Sequence, residues 1–147
     1  MTVQTRAADR DGIEALFLRL NKAHADKDPD AIVEAYAEDA VICDLAPPLS
    51  RRGIKRDEVA GWLATWDGPI TIATRDLDLA IEGAMAFATA LTRMRGSQGG
   101  VEQDIWFRTT LCLRRSGEDW RIVHEHTSVP FYMDGSYRAA VDLAPAE

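Results

Sequence analysis

The sequence predicts an α+β fold, with three helices in the first half of the chain and an antiparallel sheet after them. Two observations carry this. Up to residue 66 the apolar residues recur at helical spacing between capping and breaking signals. From residue 70 to residue 131 they alternate in strand-length runs joined by short polar turns. The 147 residues fit one domain, 1–147, with enough chain for a hydrophobic core, so one site is expected rather than several.

Residues 9–27 carry Ile13, Leu16, Phe17, Leu20 and Ala23 or His24 at helical spacing, behind candidate caps at Asp9 or Asp11. A second, shorter helix opens at "DPDAIVEAY", with Asp28 as N-cap and Pro29 at the first helical position. It ends near Ala37 and sets Ile32, Val33 and Tyr36 on one face. The run "AVICD" is a brief strand stopped by Pro47 and Pro48, with Asp44 at its end. A third helix runs from about Lys55 to Trp66, where Val59, Trp62, Leu63 and Trp66 share a face, and "DGP" ends it. Strands follow over residues 70–82, 84–95, 101–115 and 119–131. The turns "GSQGG" and "SGED" are short enough to make them an antiparallel meander. The closing "AAVDLAPAE" is expected to fray.

Composition narrows the functions. Apolar residues make up 46% and charged residues 28%, so a packed core rather than disorder is expected. The net charge is −7 and the basic residues cluster only in "SRRGIKR" at 50–56, which argues against a nucleic-acid partner. No apolar run has the length of a signal peptide or a membrane span, so a cytoplasmic protein without a membrane partner is expected. Cys43 and Cys112 lack the paired spacing of zinc or redox motifs and are expected to be reduced packing residues.

The stretch "DWRIVHEHTSVPF" at 119–131 holds two of the three histidines. The two-residue period of a strand sets His124, His126 and Ser128 on one face with Trp120 and Ile122. Two imidazoles about 7 Å apart can grip one ligand, or they can satisfy polar atoms of the core. Asp44, next to apolar neighbours, would gain strength as a base on losing water, or it caps the turn before "LAPP". A facial set of His124, His126 and Asp44 is the rival metal reading, but nothing fixes Asp44 at the needed distance, and neither a metal nor another cofactor is expected.

The strand at 101–115 offers two faces. The odd set, Ile105 to Leu113, is the more apolar and should face the core. Trp106, Arg108 and Thr110 on the even set are then candidates for a pocket mouth or a dimer contact, unless a bulge switches the facing. Trp62 and Trp66 pack in the core or line a pocket. His24 and Tyr36, on the first two helices, are secondary ligand candidates.

Two stretches, "LNKAHADKDPDAIVEAYAEDAVICD" at 20–44 and "GEDWRIVHEHTSVPF" at 117–131, resemble the nuclear transport factor 2-like superfamily, in its SnoaL-like and ketosteroid isomerase-like branch. The resemblance covers about residues 10–131 and leaves 132–147 as a tail. It implies a cone: three N-terminal helices packed in a strongly curved antiparallel sheet, a deep pocket inside, and often a homodimer formed through the sheet. Such proteins include isomerases, polyketide cyclases, epoxide hydrolases, dehydratases and non-catalytic modules, so architecture does not give the activity. Asp44 matches the position of the isomerase's general base. The isomerase's tyrosine position falls on Leu20 and its protonated aspartate near Thr109, which disfavours that mechanism. The epoxide hydrolase pattern of an Arg and two carboxylates finds only Arg108 and Asp104, four residues apart.

Two functions are therefore expected as alternatives. In one, the protein acts on a small, largely apolar carbonyl compound by isomerase, cyclase or dehydratase chemistry. Asp44 then moves a proton, His124 and His126 stabilise or protonate the oxygen, and Trp62, Trp106, Arg108, Thr110 and Ser128 hold the substrate. In the other, the same fold is a non-catalytic ligand-binding or dimerisation module.

Overall fold

The computed structural model describes residues 3–147. Helix α1 (Val3–Ala25) buries Ile13, Leu16, Leu20 and Ala23, the predicted stripe. It stops where Lys27 takes a left-handed φ of 53°. Helix α2 (Pro29–Glu34) starts at once because the Asp28 side chain accepts from the Ala31 N–H at 3.1 Å. Strand β1 (Tyr36–Cys43) pairs with the two-residue β2 (Arg51–Arg52), and α3 (Arg56–Ala64) follows. Strands β3 (Thr71–Glu82), β4 (Met85–Gln98), β5 (Val101–Ser116) and β6 (Asp119–Ser128) complete a six-stranded sheet in the order β2-β1-β6-β5-β4-β3.

The meander β3 to β6 is antiparallel as expected, but the sheet as a whole is mixed. Strand β1 lies parallel to β6, because the chain reaches β6 only after the whole meander and arrives running in the same direction. Two helices precede β1, and α3 is inserted between β2 and β3. Tyr36 opens β1 instead of closing α2. The Ala35 carbonyl accepts from the Ile122 N–H at 2.9 Å, which draws the chain into the sheet before the helical spacing would end. The tail is also tied down: Ala140 is buried and its N–H donates to the Pro130 carbonyl at 2.8 Å.

The helices cover one face of the sheet, and the core between them includes the fully buried Ile13, Ile42, Ile70, Leu113 and Ile122. Burying side chains of this size contributes roughly 1.5–3 kcal/mol each. On β5 the odd residues face this core, as their apolar character predicts. On β6 the facing changes partway. Leu113 pairs with Ile122, but Cys112 pairs with His124, so Val123 is an extra residue without a partner on β5. Such a bulge reverses every side chain beyond it.

The hairpin of β1 and β2 also depends on one backbone conformation. Gly53 has φ +74°, and a Cβ there would stand 2.8 Å from the Glu38 carbonyl oxygen, so only glycine fits beside Arg51 and Arg52. Among the described residues no helix is long and apolar enough to cross a membrane.

Candidate functional site

Between α1, α3 and the helix-covered face of the sheet lies a cavity of about 330 Å³. Its walls are mainly apolar, with Phe17 and Leu20 from α1, Trp62 from α3, and Ile72, Met94 and Phe107 from the sheet. Leu45 and Trp62 line it yet are 40% and 38% exposed, which marks its mouth.

Four polar side chains meet on the wall made by β1, β2 and β6. Ile42 points into the core, so Asp44, two residues on, faces the same way at the strand's end. Glu125 is the register partner of Ile42 on β6 and faces inward because of the Val123 bulge. Arg51, held opposite Ile42 by β2, forms an ion pair with Asp44. Tyr36, at the start of β1, donates its hydroxyl to Glu125 Oε1 at 2.9 Å. The Arg51 Nε–H is buried and has no hydrogen-bond partner among the described residues. Elsewhere in the cavity the Thr92 and Thr109 hydroxyls bond each other at 2.7 Å.

Burial raises Glu125 to about 7, and the negative Asp44 adds to the rise. The Tyr36 hydroxyl and the positive Arg51 oppose it. Burial pushes Tyr36 well above the ordinary tyrosine value, with the neighbouring Glu125 carboxylate adding to the effect. At neutral pH the Glu125 carboxyl is therefore poised to give or take a proton while Tyr36 keeps its own. On α1, His24 bonds the Leu20 carbonyl through Nδ1 at 2.8 Å, and burial lowers its pKa.

Of the residues singled out from sequence, Asp44 and Trp62 line the cavity, and so do the secondary candidates His24 and Tyr36. His124, His126 and Ser128 do not. They follow the bulge and lie on the opposite face of the sheet, paired across β5 with Cys112, Thr110 and Arg108. His124 Nδ1 bonds the Val41 carbonyl at 2.8 Å, and His126 is exposed. Trp106, Arg108 and Thr110 share that outer face, as the even residues of β5. Trp106 sits 5.7 Å from the Arg93 guanidinium, which is itself forked onto Asp104. Because the sheet separates both histidines from Asp44, the facial metal set does not form. Among the described residues no group of three or more His, Cys, Asp and Glu is arranged to hold a metal ion. Cys43 and Cys112 are both free thiols.

Glu125 and Arg51 are the cavity residues that sequence reasoning passed over. Glu125 has the wrong parity to share a face with Trp120 and Ile122, and Arg51 reads only as part of a basic run. The one available signal was an acidic residue flanked by histidines within a strand, where a carboxylate is uncommon. Leu20 and Thr109, at the isomerase's tyrosine and aspartate positions, do line the cavity, but neither is an acid able to stabilise an enolate.

An α+β fold whose helices and curved mixed sheet enclose a mainly apolar cavity defines a nuclear transport factor 2-like protein. Within that class the chain belongs to the SnoaL-like domain family, whose pattern matches residues 13–132. A nuclear transport factor 2-like protein of unknown function from Pseudomonas putida KT2440 is 31% identical. The match covers 95% of this chain and 98% of that one, with a TM-score of 0.82. A Novosphingobium aromaticivorans protein provisionally named scytalone dehydratase shares the fold at 14% identity and a TM-score of 0.75, over 99% of this chain and all (100%) of its own. A nuclear transport factor 2-like superfamily protein from Salmonella enterica serovar Typhimurium LT2 does so at 16% and 0.75, over 91% and 99%. No curated protein matches the chain.

The raised Glu125 has a consequence for stability. An unfolded glutamate titrates near 4.5 and the folded one near 7. Between these values the folded chain holds a proton that the unfolded chain has released, so stability falls as pH rises through the window. Relative to Glu125→Gln, the wild type should lose about 1–3 kcal/mol between pH 4.5 and 8, after allowance for partial solvent access. Urea unfolding of both proteins at the two pH values checks this; parallel pH profiles would contradict it.

Proposed function

We propose that the protein is an acid–base catalyst that works on a small, largely apolar carbonyl compound by isomerase or dehydratase chemistry. The observation that carries this reading is the convergence of Glu125, Tyr36, Asp44 and Arg51 on one wall of a mainly apolar cavity. A volume of about 330 Å³ suits a small molecule. The provisional dehydratase name of the Novosphingobium aromaticivorans protein is consistent with the chemistry.

The roles follow from the contacts. The substrate's carbonyl oxygen is met by the guanidinium group of Arg51, which lines the cavity and which Asp44 holds in place. Ionised Glu125 takes the proton next to the carbonyl, and the negative charge that develops on the oxygen is met by Arg51. Neutral Glu125 then returns the proton, either to a carbon of the enolate or to a departing hydroxyl, which leaves as water as the new double bond forms. Tyr36 holds the Glu125 carboxyl in place throughout. Asp44, expected from sequence as the base, is here the partner of Arg51 instead. The histidines have no part in this scheme because they lie beyond the sheet.

A simple ketone tests it. The C2 protons of 1-tetralone should exchange with D2O faster in the presence of the protein than in buffer, as read by proton NMR. The rate should climb as pH rises through about 7 and fall about 100-fold in Glu125→Gln, the usual worth of a positioned base. Exchange no faster than in buffer, or unchanged in the variant, would contradict the assignment.

We further propose that the outer face of the sheet carries a homodimer contact. Met85 and Phe87 on that face are 41% and 52% exposed, and Trp106, Arg108, Thr110 and His126 extend the surface across β5 and β6. Sedimentation velocity should give about twice the 16.3 kDa chain mass, with Phe87→Glu shifting it to the monomer; a wild-type monomer would reject this.

A further inference from the structure

The cavity has a second polar focus, on α1, that the proton-transfer scheme does not use. His24 Nδ1 lies 2.8 Å from the Leu20 carbonyl oxygen. A carbonyl only accepts, so Nδ1 carries the hydrogen, and in the neutral ring Nε2 is left with a lone pair. Burial keeps the ring neutral, and no ionised neighbour contributes to its shift, which sets it apart from the acidic wall. The Trp62 ring meets the imidazole edge-on, with centroids 6.0 Å apart and planes at 78°, so the ring is fixed from two sides. Nε2 has no hydrogen-bond partner among the described residues; Phe17 and Trp62 supply apolar lining on this side, and Asn21 of α1 and Glu58 of α3 are polar lining residues.

We propose that His24 Nε2 is an acceptor subsite that selects carbonyl substrates bearing a hydroxyl group, so that the substrate class is a small hydroxy-ketone. With Nδ1 turned back onto its own helix, the Nε2 edge is the one presented to the cavity. A ligand hydroxyl satisfies it, whereas a purely apolar ring would cover it and leave a stranded acceptor, which is costly. The acidic wall supplies donors through Arg51 and neutral Glu125 and therefore suits the carbonyl end; His24 supplies only an acceptor and suits the hydroxyl end. The aromatic side chains Phe17, Trp62 and Phe107 line the space with flat surfaces suited to a ring. This inference rests on the carbonyl reading of the same cavity.

The test compares 1-tetralone with its 5-, 6- and 7-hydroxy derivatives by calorimetry on the wild type, His24→Phe and Glu125→Gln. At least one hydroxylated ketone should bind the wild type about 10-fold more tightly than the parent, the worth of one net hydrogen bond, and His24→Phe should abolish that difference. Long-range proton–nitrogen NMR of the wild type should show His24 protonated at Nδ1, with only the Nε2 resonance moving when the preferred derivative is added. That measurement decides the matter even if the variant fails to fold. If 1-tetralone binds in a Glu125-dependent way but no hydroxyl group improves binding, or the preference survives in His24→Phe, the His24 inference falls and the carbonyl reading stands. If none of the four ketones binds, both fall.

Discussion

One unpaired residue, Val123, decides which side chains of β6 face the cavity. Before it, β6 turns Trp120 and Ile122 into the core; after it, the strand turns Glu125 and Thr127 inward and sends His124, His126 and Ser128 to the other face. A regular strand would present two imidazoles to the cavity. The bulged strand presents a carboxyl group instead. The extra residue thus links the backbone of one strand directly to the chemistry available inside the molecule. It also sits where β6 changes its pairing with β1, from Tyr36 opposite Ile122 to Val41 opposite His124.

The carboxyl groups brought in by β1 and β6 have different surroundings, and the difference assigns their work. Asp44 is tied to Arg51, a strong cation whose charge is fixed. Among the described residues Glu125 has a tyrosine hydroxyl as its hydrogen-bond partner, and burial with a like charge nearby favours its neutral form. The two carboxyl groups therefore differ in their contacts: Asp44 holds Arg51, while Glu125 is raised by burial and held by Tyr36. The apolar walls matter to both, because charges in apolar surroundings interact more strongly than on the surface.

Much of the architecture could be read from the sequence because it is written in local periodicity. The stripe of Ile13, Leu16 and Leu20, the Asp28 and Pro29 helix start, and the apolar odd residues of β5 each have one structural solution, and the structure adopts it. The orientation of β1 was not legible, since parallel pairing between the first and last long strands is a property of the whole chain. Tyr36 looked helical because its spacing from Ile32 is helical, while a hydrogen bond from Ile122, far along the chain, settled its state.

The site was only partly legible. Asp44 and Trp62 lie where the motif and the helical face place them, and both line the cavity. The two histidines, and with them Ser128, were misplaced by a single inserted residue, whose one trace in "RIVHEH" is the adjacent apolar pair Ile122 and Val123. Trp106, Arg108 and Thr110 follow the parity of β5 to the outer face. Arg51 could not be found because its role comes from a two-residue strand folded back on β1 and from the glycine at 53 that permits the turn.

The central claim is that Glu125, turned inward by the Val123 bulge, titrates near neutrality inside the cavity. Carbon-13 NMR of glutamate side-chain carboxyls as a function of pH, with the Glu125 resonance identified by its loss in Glu125→Gln, measures this directly. The account predicts a midpoint at about 7, while a midpoint near the ordinary 4.5 would place the carboxylate in water and contradict it.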